Sequence, residues 1–208
     1  MSAKIGVVYI SDRDPDLYLR DCIGSFNAHC QDPTGLLVAE HVVVDRAHQL
    51  GMSGAVNAAW RWGLNERLDY LMHVEEDFVF RHDFSLRAMV FAMTWARDAC
   101  QMVLKRQPWS PEEQAHGNIV SMGYPVHQQN MHTDELGTVR WVTHQRLFSL
   151  NPCLLPFDTF LRSYPVGNEA EFTSCMRILD KEFAFFGGID DPPLVEHVGH
   201  VRGDGWKL

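Results

Sequence analysis

Tyr70-Leu-Met-His-Val-Glu-Glu-Asp-Phe-Val-Phe80 sets three carboxylates, Glu75, Glu76 and Asp77, between two apolar stretches, the pattern of a buried strand that ends at a charged site. Crowded carboxylates at a strand tip repel one another and resist desolvation. They call for a counter-charge, most economically a divalent cation with oxygen ligands such as Mg²⁺ or Mn²⁺. Side chains two apart share one side of an extended segment, so Glu75 and Asp77 face together and Glu76 faces away. Asp77 is the preferred ligand, Glu75 a secondary one, and Glu76 structural. The plainer alternative is a surface turn decorated with acids.

Upstream, a strand, loop and helix unit occurs twice. Lys4 to Ile10 reads as a buried strand, Ser11 to Pro15 as a polar turn, and Asp16 to His29 as a helix with Leu17, Leu19, Cys22, Ile23 and Phe26 on its apolar face. His41 to Val44 is a β-branched run ending at Asp45, and after the Gly51-Met-Ser-Gly54 turn a helix carries Ala55, Ala58, Ala59, Trp62 and Leu64. Beyond the acidic cluster, Leu86, Met89, Val90, Met93, Val103 and Leu104 predict a long helix capped by Ser85. This alternation predicts an α/β fold with a largely parallel sheet and helices on both faces. Ligands of such sheets bind outside the carboxyl ends of the strands, so Ser11 to Asp14, Asp45 and Glu75 to Asp77 should share one cleft. After a loop at Gln107 to Pro111 the alternation stops. Asn118 to Tyr124 and Val139 to Phe148 read as strands of an added antiparallel hairpin, followed by a helix over Glu169 to Leu179, a Gly187-Gly188 turn and a short tail.

With 208 residues, 46% of them hydrophobic, and no break in composition, the chain predicts one domain, with residues 1–106 and 107–208 as its two halves. A formal charge of -9 disfavours a broad electrostatic grip on nucleic acid or an anionic membrane. Cys22, Cys30, Cys100, Cys153 and Cys175 are odd in number and scattered, which suits neither a disulfide framework nor a thiolate zinc site and points to a reducing cytoplasm. The N-terminus lacks a signal-peptide charge pattern and no window approaches membrane-spanning length, so a soluble protein with no membrane span is expected.

Three further stretches carry candidate chemistry. In Val195-Glu-His-Val-Gly-His-Val-Arg202, a histidine beside a carboxylate-bound cation can complete its coordination while Arg202 binds phosphate bidentately. The same stretch also reads as surface polarity or as a weakly zinc-like His-x-x-His. Gly51-Met-Ser-Gly-Ala-Val-Asn57 opens a helix with small residues, allowing a ligand close to its N–H groups, but it is neither a P-loop nor a dinucleotide fingerprint and also suits an ordinary cap. Glu169 and Glu171 lie at a helix start, where the dipole stabilises carboxylate charge with or without a function. His127, Gln128, Gln129, Asn130, His132 and Trp141 fit either an acceptor-stacking surface or an exposed hairpin.

Taken in order, Ser11-Asp12-Arg13, Asp45, the helix start from Gly51 to Asn57, Glu75-Glu76-Asp77, Asn168-Glu-Ala-Glu-Phe-Thr173 and His197-Val-Gly-His-Val-Arg202 resemble the GT-A fold glycosyltransferases, closest to the family 2 type of bacteria and phages. The resemblance implies a Rossmann-like, mostly parallel sheet flanked by helices, with a small antiparallel hairpin and C-terminal extension. It implies a UDP- or GDP-sugar lying across the carboxyl edge, an Asp-x-Asp-like motif holding Mn²⁺ or Mg²⁺ on the diphosphate, and a late histidine completing the metal shell. On that basis Asp77 and His197 are the metal ligands and Glu169 or Glu171 the base. Ser11, Asp12, Arg13, Asp45, Ser53, Asn57, Glu75, Glu76 and Arg202 are donor contacts. The acidic motif departs from the family in being Glu-Glu-Asp, and the second strand ends Asp45-Arg46 without a second acid. The implied activity is an inverting, metal-dependent transfer of a sugar to an acceptor hydroxyl on a glycan, small molecule, protein or modified nucleic-acid base. The short chain leaves room for a partner or an oligomer to complete the acceptor side. A nucleotidyltransferase acting on a sugar phosphate and a non-catalytic nucleotide- or sugar-binding module are the competing readings.

Overall fold

One eight-stranded sheet runs, from edge to edge, through β2 (Leu37–Val44), β1 (Ile5–Ser11), β3 (Tyr70–Glu75), β8 (Cys153–Pro156), β5 (Ala99–Leu104), β9 (Glu182–Phe186), β7 (Gly137–His144) and β6 (His127–Asp134), with a two-stranded sheet of β10 (Val195–His197) and β4 (Phe78–Phe80) beside it. The computed structural model describes residues 3–12, 18–31, 35–45, 49–109, 111, 115, 127–134, 137–165 and 168–199. The elements are β1 (Ile5–Ser11), α1 (Leu19–His29), β2 (Leu37–Val44), α2 (Gly51–Asn65), β3 (Tyr70–Glu75), β4 (Phe78–Phe80), α3 (Leu86–Trp95) and β5 (Ala99–Leu104). They continue with β6 (His127–Asp134), β7 (Gly137–His144), β8 (Cys153–Pro156), α4 (Phe157–Phe160), α5 (Glu169–Ile178), β9 (Glu182–Phe186) and β10 (Val195–His197).

The fold is mixed α/β. β1 pairs parallel with β2 and β3, and β5 with β9, while β8 runs antiparallel to both β3 and β5. Two reversals restore direction, so β5 points the same way as β3. The strand alternation in β1 divides the core. Val8 and Ile10 join Ala55, Val56, Ala59 and Trp60 of α2 and Phe172 and Met176 of α5 on one face. Val7 and Tyr9 join Leu19, Cys22 and Phe26 of α1 and Leu86, Met89 and Ala92 of α3 on the other. Helices therefore cover both faces, as the alternation predicts. No helix among the described residues is long and apolar enough to cross a membrane.

The long helix expected after Ser85 is two elements. Ser85 does cap it, its Oγ accepting from Ala88 N–H at 3.1 Å, but the helix stops at Trp95 and Ala99 to Leu104 form a strand buried along its whole length. Fully buried central strands are apolar on both faces, so their sequence does not alternate and mimics a buried helix turn. The expected hairpin exists, shifted to His127–Asp134 and Gly137–His144. Asn118 to Tyr124, read as its first strand, lie outside the described residues.

Leu154, fully buried in β8, sits in register with Met72 of β3 and Met102 of β5. Leu154→Ala leaves a cavity where the two parts of the sheet join and should cost about 2–5 kcal/mol, read as a lowered denaturation midpoint. A loss under about 1 kcal/mol would contradict the central placement of β8.

Candidate functional site

The parallel register brings the strand tips together. Ser11 lies beside Val44 and Ile10 beside Glu75, and the backbone continues the pairing past the strands, Asp45 N–H donating to Ser11 O at 2.8 Å and Glu76 N–H to Ile10 O at 3.0 Å. Between these tips and the end of β5 opens a cleft of about 260 Å³. Its described lining includes Asp12, Glu75, Glu76, Asp77, Arg106, Glu169, His197 and Gly199, with Ile10, Met52, Val56 and Leu150 as an apolar wall.

The chain turns at Glu76 and Asp77 instead of staying extended, and all three acids line the cleft. Glu76 is buried and accepts the Ser11 hydroxyl at 2.5 Å. Asp77 meets the C-terminal segment. β10 pairs antiparallel with β4, Val198 N–H donates to Asp77 O at 2.8 Å, and His197 Nε2 lies 3.1 Å from Asp77 Oδ2. Residues 120 apart in sequence are thereby brought into contact. The approach is close enough that a side chain at Gly199 would collide with the Asp77 carboxylate. The side chains of Asp77 and His197 are 16% and 38% exposed, so both reach the cleft.

The other carboxylates feel the crowding. Burial, followed by the charges of Asp77, Glu169 and Asp12, pushes Glu75 well above the usual carboxylate range, with Arg106 opposing. Burial also raises Glu169, against a 2.6 Å hydrogen bond donated by Leu150 N–H and the Arg106 charge. Beneath them His73 is buried at the middle of β3 with neither ring nitrogen bonded, and its pKa falls to about 4, a neutral core residue. Among the described residues, no group of three or more His, Cys, Asp or Glu side chains is arranged to hold a metal ion.

Several sequence-predicted donor contacts are spent on the scaffold instead. Asp45 is buried and its carboxylate accepts from Gln49, Leu50 and Gly51 N–H at 2.9 to 3.1 Å, tying the tip of β2 to the start of α2; Gly51 adopts φ +64° there. Ser53 donates to Pro165 O, and Asn57 bonds both N–H and C=O of Tyr164, tying α2 to the segment before α5. None of the three lines the cleft, which α2 reaches through Met52 and Val56. Glu171 is exposed outside it, its N–H capped by Asn168, while Glu169 on the same turn lines it. Trp141 is buried, Asn130 bonds Thr143, and His132 stacks on Trp95 at 3.9 Å, while Gln128 and Gln129 are exposed. None of these five lines the cleft. Arg13 and Arg202 lie outside the described residues, as does the side chain of His127.

Sequence reasoning missed Arg106. A signal was present: it lies two residues past the mostly apolar run Ala99 to Leu104, much as the acids follow Tyr70 to Val74. No known family model matches the chain, and no curated protein matches it in sequence.

Glu75 titrates above its unfolded value, so the native state holds its proton more tightly and stability falls as pH rises between the two. In the presence of chelator, Glu75→Gln should raise the melting temperature at pH 7. The gain should vanish as pH drops to the ordinary carboxylate value of about 4.3. A gain that persists unchanged at that pH would contradict the half-buried, crowded carboxylate.

Proposed function

We propose that this chain is a metal-dependent glycosyltransferase of the GT-A kind, moving a sugar from a nucleoside-diphosphate sugar to an acceptor hydroxyl with inversion. The observation that carries this reading is the contact of His197 with Asp77, at a cleft formed where parallel strands end. A carboxylate and an imidazole meeting at 3.1 Å beside further carboxylates are a donor pair suited to Mn²⁺ or Mg²⁺. Two protein ligands are enough for such ions, which keep waters and take substrate phosphates for the rest of their shell. A cation held there neutralises charge growing on the departing diphosphate, typically worth several kcal/mol.

The remaining roles follow from position. Glu169 reaches the cleft and takes the proton of the acceptor hydroxyl; its raised pKa makes it a stronger base than an ordinary carboxylate while the Leu150 N–H fixes its orientation. Glu75 and Asp12, also lining the cleft, are placed to bind hydroxyls of the donor. Met52 and Val56 give the nucleoside or sugar an apolar wall and exclude water from one side. The five free cysteines suit a cytoplasmic setting.

Asp77→Ala should lower Mn²⁺-dependent donor hydrolysis or transfer by about a hundredfold or more with unchanged circular dichroism. Full activity in that variant, or in wild type with chelator, contradicts the metal role. Glu169→Gln should lower transfer by about 10² to 10⁴ while Glu171→Gln stays near wild type. Its acid limb should lie above the ordinary carboxylate value, since the base must be ionised. Equal loss in the two variants would remove Glu169 from the base role.

A further inference from the structure

The cleft is a poor place for an anion. Its described lining carries five carboxylates, Asp12, Glu75, Glu76, Asp77 and Glu169, against one guanidinium, Arg106, and the His197 imidazole already in contact with Asp77. A diphosphate entering it needs fixed positive charge beyond the cation at Asp77.

Among the described residues, the neighbouring cations are committed elsewhere. Lys105 is buried with its Nζ donating to Ile189 O and Asp191 O, Arg81 pairs with Glu196, and Arg140 pairs with Asp191. Arg106 is exposed and makes no ion pair or hydrogen bond among the described residues. Its backbone is nonetheless well placed. The carbonyl of Lys105 accepts from Leu194 and Val195 N–H at 2.8 and 3.2 Å, so the end of β5 is tied to the start of the strand that delivers His197. Arg106 thus follows a backbone position tied to the strand that carries His197, and its guanidinium, with no ion pair among the described residues, lines the same cleft as the five carboxylates.

We infer that Arg106 holds the diphosphate oxygens of the donor, opposite the cation at Asp77 and His197. This rests on the glycosyltransferase reading above. A guanidinium binds phosphate oxygens bidentately and stays charged at every working pH. Lysine at 106 would keep the charge and lose the fork.

Calorimetric titration in Mn²⁺ with a nucleoside, its monophosphate and its diphosphate, for the uridine and guanosine series, tests this on wild type, Arg106→Gln and Arg106→Lys. The expected result is diphosphate affinity lowered roughly ten- to hundredfold in Arg106→Gln, the range of one lost charge-assisted contact. Arg106→Lys should fall between, and nucleoside affinity should be unchanged. Wild-type diphosphate binding with equal affinity in Arg106→Gln overturns the inference and leaves the function standing. An equal loss for nucleoside and diphosphate also overturns it, because a general structural role moves both. Wild type that binds no diphosphate in Mn²⁺ overturns the reading of the cleft and this inference with it.

Discussion

The antiparallel insertion of β8 between β3 and β5 is the constraint on which the site depends. Each of its two pairings reverses direction, so the strands on either side point the same way and end on the same edge. A direct β3–β5 pairing would leave no room for Leu154 and Leu155, whose side chains enter opposite cores, and would draw Arg106 onto the acids. With β8 in place, the edge is wide enough to hold a cleft. The segment leading into β8 supplies Leu150, whose N–H orients Glu169. Fold and chemistry meet in four residues of strand.

Electrostatically, the site is held in a high-energy state by packing elsewhere. Glu75 and Glu169 are half-buried, with Glu75 feeling the charges of both Asp77 and Glu169, and the raised pKa of both records the cost of keeping them charged. Two extensive apolar cores, one on each face of the sheet, offset that cost. Bound positive charge would relieve it, which couples ligand binding to stability in this chain. The C-terminal strand takes part in the same coupling, because β10, Val198 and His197 all close onto the β3–β4 turn.

Much of the first half was legible in the sequence. α1 and α2 carry apolar periodicity, β1, β2 and β3 are short apolar or β-branched runs that each end at polar residues, and Ser85 is a capping residue whose chemistry is local. The pairing of Asp77 with His197 followed from the resemblance, since no spacing argument links residues that far apart. What stayed hidden has physical causes. β5 is buried on both faces and so lacks alternation, and β8 and β9 are only four and five residues long. Asp45, Ser53 and Asn57 are polar residues near a helix start, and sequence alone does not tell a ligand contact from a bond to the next loop. Glu169 and Glu171 looked equivalent, and only the helix's orientation separates them. Once β5 is a strand, Arg106 at its tip becomes a candidate by the same logic that selected the acids.

The most direct test is a thermal-shift titration of the wild-type chain with uridine and guanosine diphosphates and their sugars, with and without Mn²⁺. A ligand that binds only the native state raises the melting temperature. The expected result is a rise that requires both Mn²⁺ and one diphosphate nucleotide and disappears in Asp77→Ala. No rise with any nucleotide, or the same rise in chelator, would contradict it.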